Sequence, residues 1–217
     1  MASVLPGELI DDRFELIEEV GSGGMGVVHR ARDRATGELV AVKLLSTGSP
    51  KLAGRLLREA RLLRALDHPS IVAYVAHGET KGGAPYLVME WIEGESLEDR
   101  LSRGPLSVDE TLSLASAVTG GLGAVHRAGL VHRDVKPDNI FLVEGRLDAV
   151  KLLDFGVAGE IGDASRLGGG GRIVGTPLFM SPEQVRDAEH IDARADVFAL
   201  GCVLYECLTG SPPFEGA

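Results

Sequence analysis

Three groups of residues in this sequence have types and spacings suited to chemistry. The first is His132-Arg133-Asp134-Val135-Lys136-Pro137-Asp138-Asn139. It sets a carboxylate, an ammonium and a carboxamide two and three residues apart. Pro137 cannot sit inside a helix or a central strand, so the stretch must be a loop. Val131 before it and residues 140–143 after it read as short buried strands. Polar groups held on a tight loop between two apolar anchors are reactive groups displayed by a rigid frame. The second group is Gly21-Ser22-Gly23-Gly24-Met25-Gly26, whose backbone N–H groups can approach phosphate oxygens without a side-chain clash. The third is Glu59, which falls within the apolar stripe of Leu52, Leu56, Leu63 and Leu66. A carboxylate there costs several kcal/mol unless it is paired. Lys43, at the end of an apolar run, is the partner this predicts. At ~4 Å and an effective dielectric of about 20 the pair gains roughly 4 kcal/mol before desolvation.

The elements that must position these groups are legible in the patterning. Residues 14–20, 27–31 and 39–45 read as strands, separated by the glycine turn and by Arg34-Ala35-Thr36-Gly37. In a dinucleotide-binding oxidoreductase the glycine motif would open a helix. Here Val27-Val28 continue as a strand, so the glycines cap a hairpin and that reading is disfavoured. Residues 51–66 have helical periodicity, with Arg55, Arg58, Arg61 and Arg64 off the apolar stripe. Asp67-His68-Pro69 ends the helix, and residues 71–75 and 86–91 read as two more strands. Glu93-Gly94 breaks the pattern. The expected organisation is a leader over residues 1–11, a first domain over 12–92 and a second over 93–217. In the second, Ser96-Leu97-Glu98-Asp99 and Ser107-Val108-Asp109-Glu110 announce helices, the latter running to about Arg127. Residues 157–181 are long, irregular and glycine-rich, and 196–209 form an almost wholly apolar helix.

The 217 residues are 44% apolar, enough for a sizeable core. The formal net charge of −10 argues against nucleic acid or anionic lipid as the main partner. Cys202 and Cys207 lie five apart on a helix, on different faces, which suits reduced buried thiols in a cytoplasmic protein. No stretch reaches ~18 consecutive apolar residues, so no membrane span is expected in this chain. His29, His68 and His77 share no metal-ligand spacing and read as structural.

Six motifs follow one another in order. They are Gly21-x-Gly23-x-x-Gly26-x-Val28, Ala41-Val42-Lys43, Glu59, the loop at 132–139, Asp154-Phe155-Gly156 and Ser181-Pro182-Glu183. Over residues 12–217 the sequence resembles the eukaryotic-type serine/threonine protein kinases, in their bacterial branch. The resemblance implies an α+β, bilobal fold: a small five-stranded antiparallel N-lobe with one helix, and a mainly helical, incomplete C-lobe. It implies Mg²⁺ and ATP as cofactors and proteins with serine or threonine acceptors as partners. The glycine turn (Val20, Gly21, Gly23, Gly24, Gly26) would cover the phosphates. Lys43 would hold them and Glu59 would hold Lys43. Val28, Ala41, Met89 and Phe141 would flank the adenine, with the Glu90 carbonyl and Ile92 amide at its edge. Asp154 and Asn139 would bind the metal, Asp134 would take the hydroxyl proton, and Lys136 would reach the γ-phosphate. All of these would converge in a cleft between the lobes. Leu63, Tyr74, His132 and Phe155 resemble a stacked column, Arg133 a phosphate grip, and Thr176 a substrate-proximal threonine. Ser165 is the one hydroxyl residue between Asp154 and Gly175, so it is the expected phosphorylation site of that segment.

The sequence also departs from the family. Kinase domains continue for several helices past the position of Ala217, and one of them brings an arginine to the position of Glu183. The helix 196–209 should therefore keep apolar surface exposed. This marks a fragment of a longer protein, or a chain completed by missing C-terminal helices or domains, which could include a downstream membrane anchor. The competing reading is a nucleotide-binding scaffold or inactive kinase fragment that acts by docking.

Overall fold

A computed structural model describes residues 7–23, 26–45, 50–155, 159–160, 177–186 and 191–214. Gly24, Gly156, Ser165 and Thr176 lie outside the described residues. The chain divides into two compact units: residues 1–65 with 72–92, and 66–71 with 93–217.

The first unit is an antiparallel sheet with one helix. Its strands are β1 (Leu9–Ile10), β2 (Phe14–Gly23), β3 (Gly26–Asp33), β4 (Leu39–Leu44), β5 (Tyr74–Glu79) and β6 (Pro85–Glu90). They are ordered β1-β2-β3-β4-β6-β5. The sheet thus has six strands rather than the expected five. The added strand comes from residues assigned to a leader. Ile10 is buried with Phe14, Gly7 N donates to Leu16 O, and Leu16 N donates to Glu8 O. Tyr86 Oη donates to Asp11 from β6. Two alternating residues are too few to read as a strand; their unpaired backbone groups beside β2 decide it. The expected strand over 71–75 is also shifted. Ile71 bridges Leu152 in the second unit, and β5 begins at Tyr74.

Directly opposed residues of antiparallel strands share a face, and the register sorts this sheet into two. One face carries Val40, Val42, Leu44, Ala31, Tyr86 and Val88, packed on Ile10, Phe14 and Leu16. The other carries Lys43 opposite Val28 and Leu87, and Ala41 opposite Met89. Helix α1 (Pro50–Ala65) packs on β5 and β6 through buried Leu56, Ala60 and Leu63.

The second unit is mainly helical. Its sheets are small: β7 (Gly94–Ser96), β9 (Ile140–Val143) and β10 (Val150–Leu152) form one, and β8 (Leu130–Val131) pairs with β11 (Gly159–Glu160). Its helices are α2 (Leu97–Leu101), α3 (Val108–Arg127), α4 (Pro182–Val185) and α5 (Ala193–Thr209). The side chains of Ser96 and Ser107 cap α2 and α3, the latter with a reciprocal bond from Ser107 N to Glu110. Gly129, at φ 74°, follows the end of α3. Helix α5 starts three residues earlier than expected, because Asp192 caps it by accepting the Arg194 N–H. α5 does expose apolar surface: Val197 (63%), Tyr205 (49%) and Leu208 (47%) lie open, while Phe214 stacks on Phe198 at 5.8 Å.

One carboxylate on α5 lacks a partner. Glu206 Oε2 is buried with no hydrogen bond among the described residues. Burial, then the charges of Glu98 and Asp138, push its carboxyl above the usual range. A raised folded value makes this group destabilising at neutral pH, and the penalty disappears as pH falls through that value. Glu206→Gln should therefore raise the melting temperature at pH 8 by about 1–3 °C. The gain should shrink toward zero below about pH 4. Thermal denaturation of both proteins across that range checks it.

Candidate active site

The reactive residues assemble in two clusters, one in each unit. In the first, the β2–β3 hairpin brings Gly21 opposite Val28 and Gly23 opposite Gly26. Gly26 has φ 140°, and a Cβ there would overlap the Leu44 carbonyl, so only glycine lets β3 lie against β4 at this point. Val20 is exposed at the hairpin's start. Val28, Ala41, Lys43 and Met89 share one sheet face. Glu90 ends β6 opposite Val40, with Ile92 two residues on. Lys43 Nζ donates to Glu59 Oε2 at 3.0 Å and Oε1 at 3.3 Å, with both side chains buried. The predicted pair across strand and helix is present. Each charge removes the reason the other could not be buried.

In the second unit the loop 132–139 converges on Asp134. The Asn139 amide donates to the Asp134 carbonyl and to its Oδ2, both at 2.8 Å. Lys136 Nζ lies 3.3 Å from the same oxygen. Pro137–Asn139 form a 3₁₀ turn that swings Asn139 back toward Asp134. Leu153 N donates to Asn139 O, so Asp154 directly follows a residue bonded to Asn139. Phe141, on β9, pairs with Lys151 and Ser96. Of the expected column, His132 and Phe155 are in contact, their rings 4.6 Å apart; Leu63 and Tyr74 belong to the first unit.

Sequence reasoning missed what holds this loop. Asp196, in the first turn of α5, is fully buried. Its Oδ2 accepts from His126 Nε2 (2.7 Å) and from the His132 backbone N–H (2.9 Å). Its Oδ1 accepts the Arg133 N–H at 2.8 Å. Gln184 Nε2 donates to the Arg133 carbonyl at 2.8 Å. Arg133 needs this grip on both sides: its φ is 68°, in the left-handed region that costs a side-chain-bearing residue about 1–2 kcal/mol. His132 then passes the constraint on. Its Nδ1 accepts the Asp134 N–H, so Nε2 carries the proton and donates to the Leu153 carbonyl. The available signal was a lone carboxylate opening an apolar helix, the argument that found Glu59. Glu183, by contrast, makes no ion pair among the described residues.

Burial alone would push the Asp196 carboxyl up. The His126 hydrogen bond, the nearby His132 and the two backbone N–H groups outweigh it and hold the value below the usual range.

Asn139 and Asp154 fit a hard cation. Both carry oxygen donors, and the engagement of the Asn139 nitrogen by Asp134 leaves its Oδ1 for a metal. No group of three or more His, Cys, Asp or Glu side chains gathers as a metal centre among the described residues.

A family model for the protein kinase domain matches residues 14–217. The chain belongs to the protein kinase domain family. Among curated relatives it is 42% identical over 214 residues to the serine/threonine-protein kinase PknB of Mycobacterium leprae, covering 95% of this chain and 34% of that protein. It is 41% identical over 214 residues to the serine/threonine-protein kinase pkn2 of Myxococcus xanthus, covering 96% and 26%. It is 43% identical over 216 residues to a probable serine/threonine-protein kinase of Corynebacterium efficiens, covering 96% and 32%. The chain thus spans about a third or less of the length of these relatives. No helix among the described residues is long and apolar enough to cross a membrane.

Asp196→Asn puts an amide where three donors converge, and should destabilise this kinase domain by about 2–4 kcal/mol. A depressed folded carboxyl stabilises fully above the unfolded value of about 3.9, and that contribution is lost as pH falls through the folded value. The gap between wild type and variant should therefore be widest near neutrality and close under acid. Urea denaturation at several pH values measures it.

Proposed function

We propose that the protein is an ATP-dependent serine/threonine protein kinase, able also to phosphorylate itself. The observation that carries this reading is the presentation of Asp134: oriented by Asn139, flanked by Lys136 and still open to solvent. A carboxylate so placed can receive the proton of a substrate hydroxyl as its oxygen attacks the γ-phosphorus and the bond to the departing ADP oxygen breaks. Lys136 steadies the transferring phosphate. Lys43, kept in place by Glu59, holds the nucleotide's α- and β-phosphates under the glycine hairpin, which includes Gly24. Val28, Ala41, Met89 and Phe141 pack on the adenine, and the Glu90 and Ile92 backbones read its edge. Asp154 and Asn139 would hold Mg²⁺, which when bound supplies neutralisation of the phosphate charge. The serine/threonine assignment follows the names of the relatives and the presence of Lys136. Protein substrates and a cytoplasmic setting, which provides ATP and keeps Cys202 and Cys207 as free thiols, complete the reading.

Transfer of radiolabelled phosphate from Mg-ATP to a generic basic protein tests it. Wild type should label the acceptor, and Asp134→Asn should lower the rate about 10²- to 10⁴-fold. The thermal shift on adding Mg-ATP should be the same for both. A wild-type thermal shift without transfer would favour the docking scaffold instead.

A further inference from the structure

The α1 arginines have no part in the machinery above. Arg55, Arg58, Arg61 and Arg64 recur every three residues along α1. The only acidic residue of α1 is Glu59, which is buried against Lys43. Apart from that buried glutamate, α1 itself supplies no acidic side chain to face cationic heads at i, i+3 spacing, an arrangement that disfavours an isolated helix. Several other surface arginines are matched. Arg34 pairs with Glu15, Arg103 with Glu95, Arg146 with Asp148 and Arg194 with Asp192. Among the described residues Arg55, Arg61 and Arg64 make no ion pair or side-chain hydrogen bond.

Their setting narrows what would match them. Leu57, Arg61 and Arg64 follow one another at i, i+4 and i+7, a single line on the solvent face. Leu57 is 37% exposed there. The line offers one apolar contact followed by two planar forks that take carboxylates in bidentate fashion. From Leu57 to Arg64 it extends about 10 Å, the reach of a few residues of extended chain. The first unit carries eleven acidic and eleven basic side chains, so the whole −10 belongs to the second unit. The chain as a whole carries −10, which opposes a long polyanion or an anionic membrane, whereas a short segment interacts only within about a Debye length, ~8 Å, of the arginines.

We infer that the solvent face of α1 docks an acidic segment of a partner protein, with carboxylates on Arg61 and Arg64 and an apolar side chain on Leu57. This does not depend on phosphoryl transfer, and its test reads binding alone. The probe is a fluorescein-labelled peptide of Asp and Glu residues around one leucine, titrated with the full chain and followed by anisotropy. Binding should saturate, and it should weaken about tenfold or more between ~50 and ~500 mM KCl. Arg61→Glu with Arg64→Glu should reduce affinity at least about tenfold. Arg61→Lys with Arg64→Lys should retain part of it, and Leu57→Ser should cost a few-fold. Circular dichroism confirms that each variant is folded. If the charge-reversed variant fails to fold, the lysine variant and the serine variant still decide. No saturable binding, or binding indifferent to these substitutions, overturns the proposal. So does tighter binding to single-stranded DNA or to phosphatidylserine vesicles than to the peptide.

Discussion

A single buried carboxylate governs the second unit. Asp196 has no solvent access, and leaving such a group unsatisfied would cost several kcal/mol. The cost is offset only when three donors from two segments arrive together: the His126 ring and the His132 and Arg133 peptides. Those segments are the end of α3 and the start of the loop 132–139. A polar loop is thereby tied to an apolar core helix. The strained φ of Arg133 persists because its N–H and C=O are both engaged, the latter by Gln184. Gln184 is itself fixed as the reciprocal partner of Ser181 in the α4 cap. A cap, a core helix and a loop thus share one hydrogen-bond network, and such networks hold a unique geometry only when every member is satisfied.

The first unit solves a related problem differently. Lys43 and Glu59 neutralise each other across a strand and a helix, instead of gathering backbone donors. The sheet's two faces separate the tasks. Val42, Val88, Phe14 and Leu16 supply the stable core, while Val28, Ala41 and Met89 leave the other face partly open. A buried ion pair contributes little net stability, and breaking one partner is expensive. Its retention here is better understood as placing an ammonium than as holding the fold.

Charge is distributed unevenly at the level of whole units. The first unit is neutral and the second holds the entire −10. Within the neutral unit the balance is local as well. Carboxylates accompany Arg13, Arg30 and Arg34 on the sheet, whereas the arginines of α1 share the helix with no exposed acid. In the second unit the excess acid is partly self-opposed, as at Glu98, Asp138 and Glu206, where burial and mutual repulsion raise two of the carboxyls.

The sequence by itself determined the element types, the motif order and the Lys43–Glu59 pair. Each follows from local signals: strand alternation, the Ser107 capping box, glycine where a side chain cannot fit, and a charge inside an apolar stripe. Tertiary structure alone decided the rest. Residues 9–10 become a strand because β2 offers them backbone partners, which no local pattern encodes. Ile71 leaves the expected strand because Leu152 claims it. Asp196 and Gln184 acquire their roles from contacts 51 to 70 residues away in the chain. Periodicity measures which face of an element is apolar; it carries no information about which distant peptide will fill a buried oxygen.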